Sequence, residues 1–283
     1  LQIIQIKQYA GDDPLRQDAL RRRIAFKTDK VNHMFKKSMA SIALGLVMSV
    51  YAASSLAEPV KNIVLVHGAF VDGSGWNPIA KILGKAGYKV SIVQEPQTSL
   101  ADDVAATQRV LKMQSGKTLL VGHSYGGMII SEAGNDPSVA GLVYIAAMEP
   151  DEGDSLLSLA KKYPPAAHSI AETDDHFLYL KPESFHADFA ADLPVKETDL
   201  LARSQVMPAV AAFNAPAGKP AWKTKPSWAV VASTDRAINP ELERFMAKRA
   251  NSKVTELKGN HAIYASQPQK IAAIIEGAAK SLN

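Results

Sequence analysis

The sequence contains no cysteine, which excludes disulfides, a thiolate nucleophile and any metal site built on cysteine. It does not identify a compartment, because an exported protein can manage without disulfides. Internal repeats and low-complexity tracts are also absent, so solenoid and collagen-like architectures fall away. The apolar run from Ile42 to Tyr51 is too short to cross a bilayer. A surplus of one charge sign is missing from most of the chain as well. The formal net charge is +4, but nine of the 32 basic residues and only four of the 28 acids precede Glu58, leaving 23 against 24 from Glu58 onward. A basic nucleic-acid-binding surface is therefore not expected.

What remains is 283 residues of ordinary globular composition, 47% hydrophobic and 21% charged, enough for one sizeable core. Met34 to Ala57 reads as a secretory signal peptide. Lys36 and Lys37 supply its positive end, Ile42–Tyr51 its apolar stretch, and Ser55-Leu56-Ala57 the small residues at a cleavage point before Glu58. This predicts a mature protein that is periplasmic or secreted and has no membrane span. Residues 1–33 are expected to be an upstream extension outside the native protein, with no folded domain.

From Asn62 onward, short β-branched runs alternate with longer helix-period segments, the signature of βα units and a parallel sheet. Strands are predicted at Ile63–Val66, Lys89–Val93, Thr118–Val121, Val139–Ala146, Trp228–Ala232 and Lys253–Leu257. Helices are predicted at Asn77–Ala86, Ser99–Met113, Tyr125–Ala133, Pro240–Ala250 and Pro268 to about Leu282. Ser99 is placed to cap the second helix, where Asp102 and Asp103 suit the macrodipole. The alternation breaks once. Residues 148–225 are rich in Pro, Ala, Asp and aromatics, with weak helical stretches and no clear strand, which suggests a cap inserted after the strand at 139–146.

Gly122-His123-Ser124-Tyr125-Gly126 matches G-x-S-x-G, with an apolar strand before it and a helix after it. That context makes it a nucleophile elbow, which throws a serine side chain out of a sharp turn. Serine is a poor nucleophile without a base. Of the seven histidines, His261 in Gly259-Asn260-His261 lies between the last strand and the last helix and is the best-placed base. His67 suits a turn-stabilising role, and His123, next to Ser124, should point elsewhere. His168, His176 and His186 fall in the cap. The imidazole needs an acid to fix its tautomer. Asp235 follows the strand Trp228–Ala232 and is assigned that role, the rival being Asp151, Glu152 and Asp154 after the preceding strand. Backbone donors for the developing oxyanion are expected at Tyr125 and at Ala69, in the loop His67-Gly68-Ala69-Phe70.

Together these residues resemble the α/β-hydrolase superfamily, with its order Ser, Asp, His along the chain. Leu65-Val66-His67-Gly68-Ala69-Phe70 through Gly73 to Trp76 looks like the branch of small bacterial esterases, plant methylesterases and hydroxynitrile lyases. The resemblance covers Lys61 to the C-terminus. It implies an α/β-hydrolase fold, a mostly parallel sheet flanked by helices, with a small cap at about 148–225. It further implies no cofactor, and serine-dependent hydrolysis of small carboxylic esters through an acyl-enzyme. Hydroxynitrile lyases of that branch typically carry a lysine directly after the catalytic histidine. Here that position is Ala262, which lowers the lyase reading. A non-hydrolytic enzyme on the same triad, or a ligand-binding receptor on the same scaffold, stands as the alternative. Tyr163, Phe177, Tyr179, Phe185, Phe213 and Trp222 are candidate pocket walls, none of them assigned.

Overall fold

The computed structural model describes residues 13–19, 21–23, 25–27 and 59–282. The expected signal peptide at 34–57 lies outside the described residues. In the N-terminal unit, 14–19, 21–23 and 25–27 are helical and nearly all of their side chains are exposed.

The second unit, from Ala57 on, is built on a six-stranded sheet. Its strands are β1 (Asn62–Val66), β2 (Lys89–Ile92), β3 (Thr118–Ser124), β4 (Val139–Ala147), β7 (Ser227–Ala232) and β8 (Lys253–Leu257). They lie in the order β2-β1-β3-β4-β7-β8, with every pair parallel. All residues of β1 and β3 are buried, as a parallel sheet covered on both faces requires. The covering helices are α1 (Asn77–Lys85), α2 (Leu100–Lys112), α3 (Gly126–Ala133), α8 (Pro240–Arg249) and α10 (Pro268–Lys280), the last preceded by the single turn α9 (Ile263–Ser266). Their ends follow local chemistry. Pro78 opens α1, and Gly87, at φ +94°, follows its end. The Ser99 hydroxyl accepts the Asp102 N–H at the start of α2.

The segment between β4 and β7 forms the cap: α4 (Leu156–Lys162), β5 (Ile170–Glu172), β6 (Leu178–Leu180), α5 (Pro182–Phe189), α6 (Val195–Arg203) and α7 (Val210–Asn214). The expectation of no strand there is corrected by β5 and β6, which pair antiparallel. At three residues each, they are too short to show the alternation by which a strand is read. The chain steps from β1 outward to β2 and then back to β3 on the other side of β1. The loops leaving β1 and β3 therefore meet at the point where strand order reverses, the crevice in which open α/β sheets bind ligands.

Candidate active site

Ser124 ends β3 at φ +53°, a left-handed conformation that costs a non-glycine residue free energy and is held only by its surroundings. What holds it is close backbone packing. A Cβ on Gly126 would stand 2.5 Å from the His67 carbonyl oxygen, and one on Gly127 would stand 1.9 Å from that of Met148. Only glycine lets α3 start so near the neighbouring strands, and this is why the serine is flanked as it is.

The loop after β8 brings the imidazole of His261 to this serine, with Nε2 2.8 Å from Ser124 Oγ. Nδ1 lies 2.6 Å from Oδ2 of Asp235. The second carboxylate oxygen of Asp235 accepts the N–H groups of Ala237 and Ile238 at 2.7 and 2.9 Å. With a carboxylate on one side, Nδ1 carries the proton, and Nε2 is left free to accept the serine hydroxyl. The three residues come from the end of β3 and from the segments after β7 and β8, and all are buried. Two of the rival acids are engaged elsewhere, Asp151 with Lys223 and Asp154 with Arg249 at 2.9 Å, and Glu152 is exposed.

Ala69 and Tyr125 flank the serine. Gly68 passes so close that a Cβ on it would lie 2.7 Å from Ser124 Cβ. His67 does stabilise this turn, its Nδ1–H donating to the Gly68 carbonyl at 2.9 Å. Its Nε2 contacts the buried carboxyl of Glu95. Burial alone would lower the His67 pKa, but Glu95 and the Gly68 carbonyl outweigh it and leave the value raised. Burial pushes Glu95 up to about 7 against the opposing pull of His67.

Three residues near the site have roles that the sequence does not reveal. His123 does avoid the serine, but its Nε2–H donates to the His261 carbonyl at 3.0 Å. Burial, and then the neighbouring His261, hold its pKa well below the usual imidazole range. Asp103, placed by its sequence as a helix-end acid beside Asp102, is fully buried and accepts the Tyr125 hydroxyl at 2.8 Å. Glu243 is buried beside Asp235. Burial and then that neighbour raise its carboxyl well above the ordinary range.

A cleft of about 650 Å³, its mouth included, opens above Ser124 and His261. Phe70, Met148, Leu156, Phe189, Phe213 and Ile238 are among its walls, and among the described residues no lysine, arginine, aspartate or glutamate lines it. Of the candidate wall residues, Tyr163 and Phe213 face it. Phe185 packs on Phe189 inside the cap, with ring centroids 5.0 Å apart, and the Trp222 indole N–H donates to the Pro150 carbonyl at 2.7 Å. Phe177 and Tyr179 are not among the residues lining the cleft. Of the cap histidines, His168 is exposed, His176 pairs with Glu172 at 2.6 Å, and His186 Nδ1 lies 3.2 Å from the Thr198 hydroxyl.

A parallel sheet in this order, with a serine elbow after its third strand and a capped cleft above, defines the class of α/β-hydrolases. A family model described as the alpha/beta hydrolase family matches residues 63–274, and the chain belongs to that family. It is therefore a hydrolase by family. The carbendazim hydrolyzing esterase of Nocardioides sp. (strain SG-4G) is 34% identical over 116 residues, 36% of this chain and 48% of that protein. The match thus spans about half of that relative's length. Salicylic acid-binding protein 2 of Nicotiana tabacum is 27% identical over 247 residues, 75% of this chain and 95% of its own. Among solved structures, a pyrethroid hydrolase from Sphingobium faniae JZ-2 superposes with a TM-score of 0.68 at 22% identity, covering 78% of this chain and 98% of its own.

Proposed function

We propose that this protein is a serine esterase that hydrolyses small, uncharged carboxylic esters through an acyl-enzyme. The observation that carries the reading is the position of His261, in hydrogen-bonding reach of both Ser124 Oγ and Asp235 Oδ2, at the floor of a cleft that no lysine, arginine, aspartate or glutamate lines among the described residues. His261 takes the Ser124 proton as Oγ attacks the ester carbonyl. The amides of Ala69 and Tyr125 receive the oxyanion, and Asp235 steadies the imidazolium. His261 then protonates the leaving alcohol. In the second half it deprotonates water, which releases the acid from Ser124. The esterase names among the relatives support the same general chemistry.

The cleft argues for neutral substrates, because a buried substrate charge would find no partner there. A series of chromogenic esters from acetate to palmitate tests the reading, combined with intact mass after a fluorophosphonate probe. Turnover with one phosphonyl group on Ser124 is expected. Turnover that survives complete labelling would overturn it. The signal-peptide pattern at Met34–Ala57 further supports work in the periplasm or outside the cell, and exported material should then begin at Glu58.

A further inference from the structure

We propose that Gln97 and Asp103, given the serine-esterase reading above, act as positioning residues that set the two amides of the oxyanion hole at a fixed separation. The two amides lie on different elements, Ala69 in the loop after β1 and Tyr125 at the head of α3, and one buried carboxylate joins them. Asp103 Oδ2 accepts the Tyr125 hydroxyl at 2.8 Å, and its Oδ1 accepts the Gln97 backbone N–H at 2.8 Å. The Gln97 side-chain amide then donates to the carbonyls of Gly68 and Val71, both at 3.1 Å. Those carbonyls bracket Ala69 and Phe70, so each end of the loop that carries Ala69 is held by one nitrogen. The amide cannot face the other way, since its oxygen would then meet two carbonyl oxygens.

Gln97 breaks local rules to make these contacts. It is fully buried at φ +57°, where an ordinary side chain is strained, and its Oε1 has no partner among the described residues. A residue that combines backbone strain with a buried orphan oxygen is badly chosen for stability alone, and such departures gather at functional sites. Its carbonyl also accepts the Ala209 N–H at 2.8 Å, where α7 begins, and α7 carries Phe213 into the cleft. The cap is therefore tied to the same residue as the loop.

Oxyanion donors act where charge develops, so a displaced donor costs rate rather than ground-state binding. A shift of about 1 Å can lower a rate on the order of a hundredfold. The test uses Gln97→Met and Tyr125→Phe, which keep volume and every backbone N–H, with Asp103→Asn as a third variant and Asp102→Asn as control. Rates on p-nitrophenyl acetate are taken per active site titrated with fluorophosphonate, alongside the affinity of an alkyl trifluoromethyl ketone that adds to Ser124. Both of the first two variants should lose about tenfold to a hundredfold in kcat, with KM within about threefold, and should bind the ketone more weakly by a similar factor. The double variant should lose little more than the worse single one, because both arms act through Asp103. Wild-type kcat per titrated site in Gln97→Met, with only the thermal midpoint lowered, would overturn the proposal. A wild-type protein that neither turns over esters nor labels at Ser124 would overturn the esterase reading itself, a separate and distinguishable outcome.

Discussion

The Nε2–H of His123 donates to the backbone carbonyl of His261 at 3.0 Å, so the residue before the proposed nucleophile in sequence braces the residue proposed as its base. The two rings also lie tilted against each other in one aromatic group, with centroids 4.7 Å apart and Phe189 and Tyr264 beside them. His123→Phe keeps that volume and removes the donor. Turnover should fall by about tenfold, a loss typical of a brace and far short of losing a base. Steady-state rates together with end-point labelling of Ser124 check this, and an unchanged kcat would assign the ring to packing alone.

Removing the reacting groups should cost much more. Ser124→Ala and His261→Ala should each lower turnover by at least on the order of a thousandfold, since no neighbouring group replaces either. Asp235→Asn should cost less, about a hundredfold or more, because an amide can still touch Nδ1 but no longer fixes its proton or balances its charge. Ester turnover by the purified variants measures all three. Residual activity of Ser124→Ala within tenfold of wild type would reject the serine mechanism.

The glycines separate into required and replaceable ones. Gly127→Ala drives a methyl group into the Met148 carbonyl, backbone against backbone, and should destabilise by about 3 kcal/mol or more. At Gly277 in α10 a Cβ would find nothing within 4 Å, so Gly277→Ala should be neutral or stabilising by up to about 1 kcal/mol. Urea unfolding of the two variants gives the comparison, and equal midpoints would contradict it.

Much of this molecule is legible in its sequence, for reasons that differ by region. The parallel core announces itself because buried strands such as Ile63–Val66 and Leu119–Val121 are continuous apolar runs, each followed by a turn. Ser124, Asp235 and His261 each follow a strand, and strand ends are where a parallel sheet gathers side chains from distant parts of the chain. The structure brings the three within hydrogen-bonding reach. Asp103 is concealed by Asp102, since two acids in a first helical turn suit the macrodipole equally well, and only the fold turns one of them inward. Gln97 has no sequence signature, because its role depends on a left-handed backbone and on carbonyls almost thirty residues away. The cap is least legible: its strands are short, and Phe70 and Phe189, which line the cleft, do not stand out as walls in the sequence.

Phe213 should govern substrate length. Its ring faces the cleft between Phe70 and Tyr125, with centroids 5.9 and 5.8 Å away. Phe213→Ala removes that wall, and each further methylene accommodated there gains about 0.8 kcal/mol of burial. Relative kcat/KM should shift by about tenfold toward acyl chains a few carbons longer. A p-nitrophenyl ester series reads the ratio directly, and a uniform loss across all lengths would place Phe213 in support of the fold instead.

Stability should fall as the pH rises from mildly acidic to about 8, and Glu149 should be a principal cause. Its side chain is buried just beyond β4, where the Ser252 hydroxyl donates to it. Burial pushes its carboxyl up to about 8, against Ser252 and the Arg249 charge. An unfolded chain releases that proton near an ordinary glutamate pKa of about 4.3, so between there and pH 8 the folded state holds a proton that the unfolded state has lost. Its contribution is complete below the unfolded value and declines across this window, by a total of a few kcal/mol at about 1.4 kcal/mol per pH unit. Glu95, raised to about 7, adds a smaller decline of the same sign. Glu149→Gln keeps an acceptor for Ser252 and has no proton to lose. The variant should match wild type near pH 5, exceed it at pH 8.5 and show a shallower slope between. Urea midpoints at pH 5, 6.5 and 8.5 measure that slope, and parallel lines for the two proteins would show that the Glu149 carboxyl is ionised in the folded state at neutral pH.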